Sequence, residues 1–248
     1  MRAAAVSQWL PYCGVAPAPH EWLGRWNVDL VMWAVMGAIT AWWWRMADGA
    51  AGRRRTVGAA LLAALLFVSP FCALSSALFS ARVAHHVLLA AVLAPMLVFA
   101  LPALRTRLPG GLALWTGVQT VVFWLWHAPD AYSAALSSDA MYWAMQLTIL
   151  GSAIGFWAAL REARVVPAIA ALLASTVLMG LLGALITFAG VPMYAPHYIT
   201  TAAWGMSPLE DQQLAGLIMW VPSAALYLAA ALWLGHHELS RADGRVAV

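Results

Sequence analysis

Apolar residues dominate this chain in long uninterrupted runs rather than in one-sided stripes. Seven such stretches stand out: Val28–Met46, Val57–Phe79, Val83–Leu104, Gly110–Trp126, Ala140–Leu160, Val165–Ala189 and Leu214–Leu234. Short clusters of charge, proline or glycine separate them. A bilayer's hydrocarbon core is crossed by ~20 apolar residues in a helix, so each run is long enough to span. Strands of a membrane barrel would alternate with period two, and these runs are apolar on all sides. The pattern predicts an all-α, polytopic transmembrane bundle of about seven spans. It divides the chain into an N-terminal tail (1–27), a membrane domain (28–235) and a C-terminal tail (236–248).

Composition agrees and excludes a water-soluble domain. Hydrophobic residues make up 64% of the chain and charged ones only 9%, against roughly 25% charged in soluble proteins. A net charge of +3 and a pI near 9.2 raise the question of nucleic acid, but no basic face or stacking platform lies outside the apolar stretches. All thirteen basic residues are arginine, and their placement explains the excess charge. Arg45, Arg53, Arg54, Arg55, Arg105, Arg107, Arg161, Arg164, Arg241 and Arg245 fall on one side of the predicted spans. Arg2, Arg25 and Arg82 fall on the other. Basic residues are retained in the cytoplasm, which predicts an external N-terminus and an internal C-terminus. Pro11, Pro17 and Pro19 interrupt the N-terminal tail, which reads as exported chain rather than a cleaved signal. Trp42-Trp43-Trp44 reads as an interfacial aromatic belt.

Sorting by side places His20, His85, His86, His127 and His197 at the outer face, with six of the ten carboxylates: Glu21, Asp29, Asp130, Asp139, Glu210 and Asp211. Met193, Met206 and Gln212 join them. Polar groups that enter a bilayer are costly and face the bundle interior or water. Imidazole and thioether donors together favour copper, with methionine preferring Cu(I). Cys72 lies about two turns below the outer end of its span, within reach of His85 or His86. Those adjacent histidines point about 100° apart on a helix and do not share an ion simply. No CxxC or HxxxH pair is present. Cys13 and Cys72 can pair only in an oxidising compartment; with Cys13 in a tail and Cys72 inside a helix, a packed membrane thiol is the leading reading of Cys72. Pro129 biases Ala128 away from helix, so the fourth span should stop at His127, either to terminate the helix or to serve a site. Ser207, Pro208 and Glu210 form a helix-start signal, which leaves Asp211 and Gln212 unexplained by capping.

Three stretches carry a family resemblance. SPFCALSSALFSARVAHHVLLAAVLAPMLVFALP (Ser69–Pro102), WHAPDAYSAAL (Trp126–Leu136) and PLEDQQLAGLIMWVP (Pro208–Pro222, including Trp220) resemble the membrane-type cytochrome c oxidase assembly factors (CtaG, caa3-oxidase group). The resemblance covers nearly everything from span two onward. It implies a non-enzymatic assembly factor for a haem–copper oxidase in a bacterial plasma membrane, linked to copper delivery or insertion from the outer side. Oxidase subunits and a copper donor protein are the implied partners, besides the lipid bilayer; no nucleic acid is. The implied metal residues are His86, His127 and Asp211, with His85 and Cys72 as supplements and Gln212, Met193, Met206, His197 and Trp220 as neighbours.

The chain also departs from the family's pattern. Where relatives tend to show H-M-x-Q-H at the start of span three, this chain reads Arg82-Val83-Ala84-His85-His86. Where they tend to show H-x-x-x-H in span five, it has Tyr142 and Gln146. Two chelating i,i+4 pairs are thereby lost. The alternatives from composition alone are a small membrane transporter, which would need ionisable residues running to the inner half, and a haem-binding membrane protein.

Overall fold

The computed structural model describes residues 11–100 and 109–246, all helical or irregular, with no strand among them. The helices are α1 (Leu30–Met46), α2 (Gly49–Phe67), α3 (Pro70–Ala77), α4 (Phe79–Leu88), α5 (Ala94–Ala100), α6 (Gly111–His127), α7 (Pro129–Ala135), α8 (Asp139–Glu162), α9 (Val165–Thr187) and α10 (Pro208–Val246). Arg2, Arg105, Arg107 and the end of the third predicted span at Leu104 lie outside the described residues, as does the side chain of Arg245. The helix that opens at Pro208 continues through the predicted 236–248 tail as far as Val246.

The seven predicted stretches all coincide with helix, but not all with one uniform span. Four helices are long and apolar enough to cross a bilayer, and a fifth span results if α2 and α3 count together across their 42° bend. α1 and α6, at 17 residues each, sit at the lower limit of the ~17–25 residues a crossing takes. The predicted second span from Val57 to Phe79 is divided. α2 starts earlier, at Gly49, so Arg53, Arg54 and Arg55 lie within its first turns. It stops at Phe67, where Ser69 caps the next helix by accepting from the Phe71 amide at 3.2 Å and Pro70 takes its first position. Leu78, in extended conformation, then separates α3 from α4.

The other breaks follow local chemistry. Asp29 caps α1 by accepting from the Val31 and Met32 amides. Ser207 and Glu210 form the reciprocal capping box that the sequence signals, at 3.2 and 2.7 Å. α6 ends at His127 because Ala128 is extended ahead of Pro129. α4 and α5 form one column joined by a π-helical turn, Leu89–Leu93. Pro95, which has no amide to donate, follows that turn, and Trp157 of α8 donates to the Ala90 carbonyl within it at 2.9 Å.

α9 and α10 pack most intimately, because glycines face each other. A Cβ on Gly216 would stand 2.5 Å from the Gly183 carbonyl oxygen, and one on Gly183 would stand 2.8 Å from the Gly216 oxygen. Small residues permit such close approach where no hydrophobic effect drives helices together. The columns run back and forth, so that Phe67, Phe79, His127, Asp139, Thr187 and Pro208 all lie at one end. That end also carries the segment 11–29, and it is where the polar groups converge.

Candidate functional site

The polar end is organised by side chains that bridge distant elements. α4 has no cap of its own, since Leu78 occupies the capping position. Asp211, in the first turn of α10, supplies it. One carboxylate oxygen accepts from the Phe79 amide at 2.7 Å, and the other accepts from the amide and hydroxyl of Ser80. An anion at a helix N-terminus meets unpaired amides and the positive end of the helix dipole. Gln212, the next residue, pins the α9–α10 connection. Its Oε1 accepts from the Met193 amide at 2.7 Å, and its Nε2 donates to the carbonyls of Ile186 and Val191 at 3.3 Å.

Two histidines from different helices meet below this cap. His127 Nδ1 lies 2.6 Å from the Phe123 carbonyl, and His86 Nδ1 lies 3.2 Å from His127 Nε2. A carbonyl only accepts, so His127 carries its proton on Nδ1 and presents a lone pair at Nε2. His86 must then donate from Nδ1, which leaves its Nε2 as a buried lone pair without a protein partner. Tyr194 holds the end of α6 by donating to the His127 carbonyl at 2.8 Å.

His197 is fully committed elsewhere. Its Nδ1 faces the Ala77 carbonyl at 3.2 Å, so its Nε2 accepts from the Tyr132 hydroxyl at 2.7 Å. This residue lies in the loop between α9 and α10. Burial pushes its pKa down to about 3; the Ala77 carbonyl opposes the shift and the Arg82 charge adds to it. The imidazole is therefore neutral at ordinary pH. Burial likewise pushes the Tyr132 hydroxyl upward.

A second polar group surrounds Arg82, which the sequence places among outer-face charges but the structure buries completely. The reason is its position in the first turn of α4, facing α8 rather than solvent. Its guanidinium carbon sits 5.2 Å from the centre of the Tyr142 ring. Such a contact contributes about 0.5–2 kcal/mol, while taking a guanidinium out of water costs several kcal/mol. None of its three nitrogens has a hydrogen-bond partner among the described residues. His85 lies between the rings of Phe67 and Phe71, at 5.1 and 6.0 Å between centroids, with both nitrogens also unpartnered. Tyr142 and Gln146, one turn apart on α8, face this group. Arg82, Tyr142 and Gln146, the three positions at which the resemblance leads to an expectation of histidine, thus fall together.

Cys72 is joined to Cys13 in a disulfide, with Cα atoms 5.4 Å apart. This corrects the reading of Cys72 as a packed thiol and removes it as a thiolate ligand. Residues 11–17 are not free tail: they lie across the bundle end and bring Cys13 onto α3. Tyr12 stacks on Tyr142 at 4.9 Å and donates to the Asp29 carboxylate. Burial and the Asp29 carboxylate push the Tyr12 hydroxyl up, and in return that hydrogen bond, with the Val31 amide, holds Asp29 below the usual carboxylate range. Both sulfurs lie near the Tyr142 hydroxyl, at 3.6 Å from Cys13 and 3.9 Å from Cys72.

Of the predicted metal residues, His86 and His127 meet nitrogen to nitrogen, and His85 lies edge-on to His86 at 5.9 Å between ring centroids. Asp211 is spent on capping α4, Cys72 on the disulfide, and His197 on Tyr132 and Ala77. Among the described residues, no three of His, Cys, Asp and Glu form a metal-holding group. Met193 is engaged through its backbone with Gln212. Met206 packs on the small cluster of Ala77, Leu78 and Ala81, and Trp220 lies against Gly180 and Gly183. Nothing in the sequence pattern singles out Tyr132, Tyr194 or Ser80, and the Cys13–Cys72 pairing stands there only as the lesser reading. The signal for the pairing was the presence of just two cysteines, both placed on the outer side.

These features define a membrane protein, helical throughout its described core, in which residues of the sequence motifs close one end of the bundle around a buried pair of imidazoles. The chain belongs to the cytochrome c oxidase caa3 assembly factor family, whose model matches residues 40–239. No curated protein and no solved structure matches it.

Proposed function

We propose that the protein is a non-catalytic assembly factor for a caa3-type haem–copper oxidase, acting at the outer face of a bacterial plasma membrane with Cu(I) as its cargo. Family membership supports the assembly role. Two observations support the orientation. Arg45, Arg53, Arg54, Arg55, Arg161 and Arg164 gather at the end opposite the disulfide, as retention of basic loops in the cytoplasm requires. Disulfides persist in oxidising compartments, which suits an external N-terminal segment.

The observation that carries the copper reading is the His86–His127 pair. Bonds from a metal to imidazole nitrogen are about 2.0–2.1 Å, so two nitrogens 3.2 Å apart suit a bent two-coordinate hold once the His86 proton moves from Nδ1 to the free Nε2. Two neutral imidazoles with a guanidinium on the same helix bind a cation weakly. Weak binding is what a carrier needs if the metal is to pass onward to an oxidase subunit. A haem is a poorer fit, because imidazoles in hydrogen-bond contact leave no room for a porphyrin between them.

The test is copper content of the purified protein after copper supplementation, for wild type and for His86→Gln and His127→Gln. Copper bound by wild type and lost in both variants supports the reading. Stoichiometric haem without copper, or copper unchanged in both variants, contradicts it.

A further inference from the structure

We infer that the cluster of buried polar groups between α4 and α8 binds a small monovalent anion of halide size, held by Arg82. The inference is independent of the copper reading. Arg82 is fully buried, and its Nε, Nη1 and Nη2 all lack partners. No carboxylate among the described residues lies within ion-pair distance of it. Residues 1–10 and 101–108 contain no Asp or Glu that could serve instead, and Asp243 belongs to the last turns of α10, at the opposite end of the bundle. Asp211, at the same end of the bundle, already has both oxygens occupied at the start of α4. The Tyr142 ring offsets only part of the cost of burying the cation.

The neighbours of Arg82 are hydrogen-bonding groups in the same condition. His85, one turn along α4, has two unpartnered nitrogens, and Gln146 on α8 has an unpartnered amide. His85 and Gln146 approach each other, as do Tyr142 and both Arg82 and Gln146, and Tyr132 and Arg82, without reaching hydrogen-bond geometry. Buried polar groups in native proteins are normally satisfied, so several unpartnered groups around one unpaired cation point to a shared acceptor. Guanidinium, imidazole N–H and carboxamide N–H2 are donors, which makes that acceptor an anion rather than a metal.

Enclosure fixes its size. Arg82, His85 and Tyr142 are 0% exposed and Gln146 is 1% exposed, and the Cys13–Cys72 bridge lies against Tyr142. A partner protein's carboxylate or a lipid phosphate cannot reach groups buried to this degree, so the acceptor is of single-ion size.

The experiment measures thermal unfolding of the full-length protein in detergent, titrated with sodium chloride or sodium bromide against sodium gluconate at constant ionic strength. A saturable rise in Tm of a few degrees with either halide is expected, with no rise in Arg82→Met. Identical Tm values in all three salts, or an undiminished halide response in Arg82→Met, would overturn the proposal. Should Arg82→Met fail to fold, Gln146→Leu is to be compared, with at least a threefold higher half-saturating bromide concentration expected. Crystals grown in bromide provide the second readout: an anomalous peak beside the Arg82 guanidinium is expected, and its absence there contradicts the site.

Discussion

The carboxylate of Asp211 receives the amide of Phe79 at 2.7 Å, across 132 positions of sequence. Through that contact the first turn of α10 closes the first turn of α4, and the bundle end that carries His86 is fixed in place. Asp211→Asn retains size but loses the charge that the α4 amides meet, and Asp211→Ala leaves those amides without a partner. A buried hydrogen-bonding group left unsatisfied costs about 1–3 kcal/mol. Thermal or denaturant unfolding in detergent is expected to show a loss in that range for Asp211→Ala and a smaller one for Ser80→Ala. An unchanged Asp211→Ala midpoint would show that the cap is not structural.

The disulfide predicts a different pattern. Cys13→Ser, Cys72→Ser and the double variant should lose the same stability, because each removes one and the same bond. Crosslinks typically contribute about 2–4 kcal/mol, and this one closes a sequence separation of 59 residues. Maleimide should label neither cysteine until the protein is reduced. Additive effects of the two single variants would mean the thiols act separately.

Much of this fold was readable from the chain, and the reasons it was not entirely so are specific. The apolar runs fall on helix, with four or five of the resulting columns long and apolar enough to cross a bilayer, and the end of α6 and the start of α10 fall where Ala128-Pro129 and the Ser207–Glu210 box place them. Those signals are local. The break at Ser69–Pro70 was equally local and lay unused inside an apolar run, where hydropathy outweighs capping. The roles of Asp211 and Gln212 were illegible, since their partners are backbone groups of α4 and of the α9–α10 connection that only packing brings near. The placement of Arg82 failed for a related reason: a charge near a span's end is read as surface, and only the tertiary contact with Tyr142 shows it buried. The cysteine pair was legible by count and compartment but was discounted by assuming a free tail.

Close packing of α9 and α10 makes Gly216 intolerant of any side chain. A Cβ there would lie 2.2 Å from Thr187 Oγ1 and 2.5 Å from the Gly183 oxygen, and the second of these is backbone that cannot rotate away. Gly216→Leu should prevent stable folding, and Gly216→Ala should cost about 1–3 kcal/mol through overpacking. Gly117→Ala, where added volume meets nothing within 4 Å, is the control and should be neutral or slightly stabilising. Thermal melts of the three variants decide it.

Acid should loosen the loop that carries His197. Its folded pKa, about 3, lies below the ordinary 6.5, so the unfolded chain takes up a proton more readily. Its contribution to stability is full above pH 6.5 and is lost as the pH falls from 6.5 toward 3. The loss is at most ~1.4 kcal/mol per pH unit. Replacing it in His197→Gln should lower stability at pH 7.5 and flatten the decline between pH 6.5 and 4.5. A decline as steep as in wild type would place the acid sensitivity on other groups.

The assembly role is tested most directly by terminal oxidase activity in membranes of a strain lacking this protein, complemented in turn by wild type and by His86→Gln. The account predicts that oxidase activity is lost in the deletion, returns with wild type, and does not return with His86→Gln present at an equal membrane level. Oxidase activity unchanged by the deletion would contradict the account.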